Sequence, residues 1–236
     1  MHRATAIKIL AEFIGTATLL MIIVGSGIMA DQLFTPSSQD LNHNVGFKLL
    51  ANSLATGAGI FVLIQSLAPI SGAHFNPLVT VFAVYQRKLN FRLSIAYIAA
   101  QFFGAILGVI VTHLMFARPL LEVASQPRAS LGLWISESVA TAALLAIISL
   151  NAARPLASQA ANIGLWIMAA YWFTSSTSFA NPAVTLARSL TASFSGIARS
   201  DVLGFCLAQV FGLGLVVAAS PRGRVADSET IALLRS

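Results

Sequence analysis

The chain is short of charge. Asp, Glu, Lys and Arg make up 9% of its 236 residues, against about a quarter of an ordinary soluble domain. That is too little to cover a soluble globule. Disorder is excluded from the other side, because 57% of the residues are apolar. Cysteine is nearly missing: the single Cys206 excludes a disulfide framework and any Cys-rich metal or redox motif. No Ser/His/Asp triad, phosphate-binding glycine loop or metal-ligand spacing is visible, so neither an enzyme nor a cofactor or metal is expected. The formal net charge is +6. Its basic residues lie singly between apolar runs, without the basic and aromatic cluster that nucleic acid requires. With a mean hydropathy of +0.81, what remains is an all-α, polytopic membrane protein. Residues 1–236 are expected to form one transmembrane domain in a lipid bilayer.

Charges mark where the chain leaves the membrane. Between Lys8 and Asp31 the only charge is Glu12, and between Arg128 and Arg154 it is Glu137. Leu93 to Ala117 and Val202 to Pro221 carry none, over 25 and 20 residues. A spanning helix needs about 20 apolar residues, so these four runs hold one span each. Two other charge-free runs are longer: 38 residues between Lys48 and Arg87, and 33 from Pro155 to Ala187. Each exceeds one span and falls short of two. Each also carries Asn-Pro near its last third, Asn76–Pro77 and Asn181–Pro182, after a helix-breaking stretch rich in Ser, Thr or Gly. Irregular backbone at membrane depth needs cover from protein or a water-filled cavity. Each long run therefore reads as a spanning helix, a re-entrant loop and a half-helix that starts at the Asn.

The halves repeat. Asn76–Pro77–Leu78–Val79–Thr80 matches Asn181–Pro182–Ala183–Val184–Thr185, Glu12 is echoed by Glu137, and Ala100–Gln101–Phe102–Phe103–Gly104 by Ala208–Gln209–Val210–Phe211–Gly212. Three spans per half is odd, so the second half inserts upside down. The expected units are residues 5–117 and 129–220, followed by a polar tail, 222–236. With the N-terminus inside, Arg3, Lys8, Arg87, Lys88, Arg92, Arg154, Arg222, Arg224 and Arg235 are cytoplasmic, while Lys48, Arg118, Arg128 and Arg199 are external. That bias predicts cytoplasmic N- and C-termini.

Asn is a favoured N-cap and Pro a favoured first helical residue. The capping oxygen faces the first turn, which leaves the side-chain NH₂ to donate outward. Two such starts meeting at mid-membrane place two donors and two positive helix ends at one point. Cations are repelled there, and a neutral solute with oxygen lone pairs is accommodated. The loops before each Asn offer carbonyl acceptors from Gly72, Ala73 and His74, and from Thr177, Ser178 and Phe179. The opposite wall is expected to be apolar.

These motifs resemble the aquaporin family, the major intrinsic proteins. Ala11–Glu12–Phe13–Ile14–Gly15–Thr16 is similar to its first-helix signature. Ser71–Gly72–Ala73–His74–Phe75–Asn76–Pro77 resembles the first pore loop, and Phe179–Ala180–Asn181–Pro182–Ala183 the second. The resemblance implies six spans, two half-helices in an inverted 3+3 repeat, a pore in each subunit and a homotetramer. It makes Asn76, Pro77, Leu78, Asn181, Pro182 and Ala183 the central constriction. By offset from the motifs it makes Thr56, Ala169, Ser178 and Val184 the outer filter, Ala169 on the assumption of an ungapped loop.

Two departures stand out: Leu78 where the family has Ala, and Val184 where it has Arg. An arginine follows one turn later, Arg188, about 6 Å along the helix. It either guards the vestibule, or reaches the interface or loop carbonyls. A filter without charge or aromatics resembles that of bacterial aquaglyceroporins associated with arsenite. The implied function is a passive channel for water, glycerol, urea and neutral metalloid acids in the bacterial inner membrane. Glu12 and Glu137 are expected to brace the loops by accepting backbone N–H bonds. The rival role is proton carriage in a coupled secondary transporter. His74 reads as a satisfied loop histidine, with pH gating as the alternative, and His113 as interfacial.

Overall fold

The computed structural model describes residues 3–34 and 41–220, with backbone alone for 41–44. The expected tail, 222–236, and the charges Arg222, Arg224 and Arg235 lie outside the described residues. The helices are α1 (Arg3–Leu33), α2 (Leu41–Ser71), α3 (Pro77–Tyr85), α4 (Phe91–Met115), α5 (Leu131–Asn151), α6 (Leu156–Phe173), α7 (Pro182–Arg188) and α8 (Val202–Ala219), with a 3-10 turn (Arg199–Asp201) leading into α8. No strand occurs among the described residues.

Five helices are long and apolar enough to cross a bilayer: α1, α2, α4, α5 and α8 with its 3-10 turn. The sixth span, α6, has 18 residues and carries Ser158, Gln159 and Asn162 in its first two turns. The short helices α3 and α7, of 9 and 7 residues, are the half-helices. In all this is the six-span, two-half-helix architecture expected of the sequence.

The polarity of the bundle is inverted relative to a soluble protein. Leu10, Ile14, Phe103, Leu107, Leu203, Leu207 and Phe211 point outward, where lipid is the solvent. Glu12, Thr80, Gln101, Glu137, Thr185 and Gln209 are completely buried. With apolar tails on both sides of the choice, burial of Leu gains little in lipid, and helix association rests on close approach and buried hydrogen bonds.

Close approach is clearest where α4 crosses α1. A Cβ on Gly104 would strike the Phe13 carbonyl oxygen, and one on Gly108 the Ala17 carbonyl oxygen. Gly212 on α8 meets the Ser138 carbonyl of α5 in the same way. Gly104→Val is accordingly expected to lower stability by about 1–3 kcal/mol. Gly214→Ala, whose added methyl has nothing within 4 Å, should leave it nearly unchanged. Thermal unfolding in detergent compares the two.

Candidate functional site

Each re-entrant loop begins where a spanning helix runs out of partners. At the end of α2, Pro69 precedes Gly72, which takes a left-handed φ of 97°. At the end of α6 the Thr174 hydroxyl donates back to the Ala170 carbonyl at 2.6 Å. Beyond these points the backbone turns through left-handed conformations that non-glycine residues avoid: Ala73 (51°), Phe75 (49°), Thr177 (62°), Ser178 (49°) and Ala180 (47°). Such residues cost about 1–3 kcal/mol each unless their surroundings hold them.

Two carboxylates hold them. Glu12 Oε1 accepts from the His74 amide at 2.9 Å and the Ser71 hydroxyl at 2.6 Å, and Oε2 from the Phe75 amide at 2.7 Å and Gln101 Nε2 at 2.8 Å. Glu137 accepts from the Phe179 and Ala180 amides, both at 2.9 Å, and from Gln209 Nε2 at 2.6 Å. Gln101 and Gln209 also donate to Thr80 and Thr185, each at 2.9 Å, which ties each carboxylate to the half-helix of its own repeat. Ser71 and Ser176 each accept from the amide two residues on, Ala73 at 3.1 Å and Ser178 at 3.2 Å, but Ser71 also donates to its carboxylate, Glu12.

The half-helices then start as Asn and Pro dictate. Asn76 Oδ1 accepts from the Leu78 amide at 2.9 Å, and Asn181 Oδ1 from those of Ala183 and Val184 at 3.0 and 3.3 Å. Pro77 and Pro182 open the first turns. The tips face each other and exchange side-chain bonds: Asn76 Nδ2 donates to the Ala180 carbonyl, and Asn181 Nδ2 to the Phe75 carbonyl, both at 2.8 Å. One hydrogen of each NH₂ is thereby used, and the other is left for a solute.

Both asparagines line one cavity of about 90 Å³, roughly three waters at ~30 Å³ each. Its apolar lining includes stripes spaced four residues apart, one per helix: Leu19 and Ile23, Ile60 and Ile64, Leu144 and Ile148, Ile163 and Ile167. The loops add Ala73, His74, Phe75, Ser178 and Phe179 to the lining, while Gly72 and Thr177 do not reach it. The His74 ring is satisfied by Thr80, Nδ1 to Oγ1 at 3.1 Å. Glu12 and Glu137 do not border the cavity.

The outer filter expected from offsets needs correction. Thr56, Ser178 and Val184 line the cavity, but Ala169 sits on the exposed side of α6. Five residues separate α2 from α3, and eight separate α6 from α7, so an offset carried through an ungapped loop lands on the wrong face. Two residues further on, a helix has turned by about 200°, and Tyr171 takes the place. Arg188 also lines the cavity. It is 2% exposed and does not reach an interface. Its Nε bonds the Ser195 carbonyl, and its guanidinium lies over the Phe179 ring at 3.4 Å. Arg128 approaches the same ring at 5.1 Å. An expected wall without charge or aromatics is thus one with Tyr171, Phe179 and Arg188.

Two other residues sit differently from expectation. Leu78 does not line the cavity; it packs with Val79, Phe82, Leu145, Leu213 and Val216. His113 is fully buried, not interfacial: Nε2 lies 2.9 Å from Thr191 Oγ1 and Nδ1 3.1 Å from the Leu120 carbonyl. It helps Glu122 pin the loop that carries Ser195. Glu122 takes Arg118 Nε and the Ala192 amide, at 2.9 and 3.0 Å. Burial raises its carboxyl pKa, but Arg118 and that amide outweigh burial and hold it below the ordinary range.

Six membrane spans around a solute-sized cavity, with two half-helices joined tip to tip, define a class of integral membrane channel proteins. Residues 2–174 match the family model "Major intrinsic protein". The chain is 44% identical over 205 residues to aquaglyceroporin AqpS of Rhizobium meliloti (strain 1021), covering 87% of this chain and 84% of that protein. A shorter stretch of 105 residues is 36% identical to aquaporin-2 of Rattus norvegicus, over 44% of this chain and 34% of that one. The X-ray structure of the aquaglyceroporin from Plasmodium falciparum superposes with a TM-score of 0.67 at 22% identity, covering 90% of this chain and 93% of that one, a likeness of fold alone. The chain belongs to the major intrinsic protein family, the aquaporin and aquaglyceroporin channels.

Two substitutions separate bracing from lining. Glu137→Gln presents one oxygen and one NH₂ where two amides point, and is expected to cost about 1–3 kcal/mol in thermal unfolding. Leu78→Ala should cost about 2–4 kcal/mol and yet leave the glycerol-to-water permeability ratio of reconstituted protein unchanged.

Proposed function

We propose that the protein is a passive channel for small uncharged solutes, water and glycerol among them. One observation carries this: both asparagine side chains, two carbonyl-bearing loops and four stripes of apolar residues border the same cavity. A solute passing there turns hydroxyls toward Asn76, Asn181 and the loops and its C–H edge toward the isoleucines. It is bound on one side only and is therefore released easily.

Exclusion of cations follows from the same residues. Two helix starts and the Arg188 guanidinium border the path, and a cation that sheds water beside them gains no counter-charge. The buried carboxylates supply none, because they do not reach the cavity and their oxygens are occupied by loop amides. That occupation also favours bracing over proton carriage for Glu12 and Glu137.

The finer assignments are part of the proposal. Asn76 and Asn181 mark the central constriction, with Pro77, Leu78, Pro182 and Ala183 fixing their positions from behind. Thr56, Ser178, Val184 and Arg188 border the narrow outer end. Urea and neutral metalloid acids such as arsenite are further candidate solutes, on size and lack of charge. The repeat units are 5–117 and 129–220. On the Lys/Arg bias, the N-terminus, the α3–α4 connection with Arg87, Lys88 and Arg92, and Arg154 are assigned to the cytoplasmic side of a bacterial inner membrane. A homotetramer is the proposed assembly.

Proteoliposome swelling tests the whole. Glycerol and water permeability above empty vesicles, unaffected by a pH gradient, is the expected result; accumulation driven by a proton gradient would sink it. Val184→Arg is expected to reduce glycerol passage more than water passage, and equal loss of both would remove Val184 from the filter.

A further inference from the structure

Part of the cavity wall carries hydrogen-bond donors without acceptors to match. Ser178 is 4% exposed and lines the cavity, and its hydroxyl has no partner among the described residues. The Thr56 hydroxyl, also on the wall, accepts from the Tyr171 phenol at 3.2 Å and keeps its own hydrogen to donate. Arg188 Nε donates to the Ser195 carbonyl, but neither Nη group bonds a described residue. The ring of Phe179, the residue after Ser178, lies against that guanidinium, so the unpaired donors border the same small space.

The charge there is unbalanced as well. A buried cation is ordinarily paired. Among the described residues Lys48 pairs with Asp31 and Arg118 with Glu122, while Arg188 and Arg128 pair with no carboxylate. Arg128 approaches the same Phe179 ring and donates to the Gly196 and Ser176 carbonyls, at 3.1 and 3.2 Å. Glu137, the buried carboxylate of this repeat, is bonded to Phe179, Ala180 and Gln209, and among the described residues no Asp or Glu lines the cavity. Val184, one helical turn before Arg188, supplies an apolar neighbour. A forked cation, two hydroxyl donors and that neighbour match a planar anion with two oxygens and a short alkyl end.

We propose that Arg188, Ser178 and Thr56 form a binding site for a small free monocarboxylate, formate or acetate in size, and that the bound anion blocks the channel. Its oxygens take hydrogens from Arg188 Nη and from the two hydroxyls, and its alkyl end lies against Val184. Such an anion nearly fills a cavity with room for about three waters, so a neutral solute cannot pass while it is there. Further along it meets no second fixed cation, because among the described residues no other Arg or Lys lines the cavity. Leaving Arg188 for the asparagine NH₂ groups forfeits the charge pairing, so the anion is held rather than conducted. The block rests on the channel reading above; the binding does not.

Two readouts on the full chain test the site. In detergent, sodium acetate should raise the unfolding temperature of wild type, because a ligand that binds only the folded state stabilises it. Sodium gluconate at equal ionic strength, too large for the cavity, should not. In proteoliposomes near neutral pH, where acetate is ionised, acetate should lower glycerol permeability in a saturable manner, and gluconate and chloride should not. Ser178→Ala should raise the half-inhibitory acetate concentration at least about tenfold, the effect of one hydrogen bond to a charged group, and should shrink the unfolding shift. Arg188→Lys, which keeps the charge and loses the fork, should also raise it. Each variant is read against its own flux without acetate. No unfolding shift with acetate, equal inhibition by all three salts, no inhibition of a conducting wild type, or unchanged half-inhibition in Ser178→Ala would overturn the site. Alanine already occupies left-handed positions in both loops, Ala73 and Ala180, so Ser178→Ala keeps the test decisive if Arg188→Lys does not fold. A wild type that passes no glycerol without acetate would overturn the channel reading instead, and the unfolding shift in wild type and Ser178→Ala then decides the anion site by itself.

Discussion

A buried carboxylate taking amide hydrogens from a left-handed loop is the interaction on which the rest of this protein depends. Backbone at mid-membrane has no water to bond, and an unsatisfied amide there costs several kcal/mol. Helices avoid the problem by bonding within themselves. The loops before Asn76 and Asn181 cannot, because their left-handed backbone is not helical. Glu12 and Glu137 take the amide hydrogens instead. Each partner makes the other tolerable in a medium where neither would survive alone.

From this follows the separation of charge from conduction. The carboxylates lie away from the cavity, bonded to the loop amides and to Gln101 and Gln209, and the cavity is bordered instead by Asn76, Asn181, the Thr56, Tyr171 and Ser178 side chains, His74 and Arg188. The apolar stripes opposite need no special design. Helices that face lipid outward and the cavity inward can be apolar on both sides, with polarity concentrated at the joints between helices.

Much of this was legible in the sequence. Charge-free runs of 38 and 33 residues are too long for one helix and too short for two, and Asn-Pro marks where the second piece begins. Isolated carboxylates in the first and fourth runs pointed to the braces. Positions that depend on rotation about a helix axis were not legible. Ala169 and Tyr171 differ by two residues and by opposite faces, and only the length of the second loop decides between them. Leu78 lies next to a functional asparagine but on the far side of its helix, against α5 and α8. His113 lies near a helix end, where an interface is the natural expectation, yet the loop after α7 folds over it. Arg188 illustrates the same limit: its spacing from Val184 was plain, but that its Nε meets Ser195 and its guanidinium covers Phe179 depends on contacts distant in sequence.

The crossed bonds between the half-helix tips have a consequence for biosynthesis. Asn76 reaches its acceptor at Ala180, and Phe75 has its carbonyl served by Asn181, over a hundred positions downstream. While the ribosome is still making the second half, the first loop lacks the neighbour that completes it. Folding of the amino-terminal portion must then stay provisional until the later segments emerge. A truncated chain ending before Asn181 is an incomplete joint, and quality-control proteases will meet it as one.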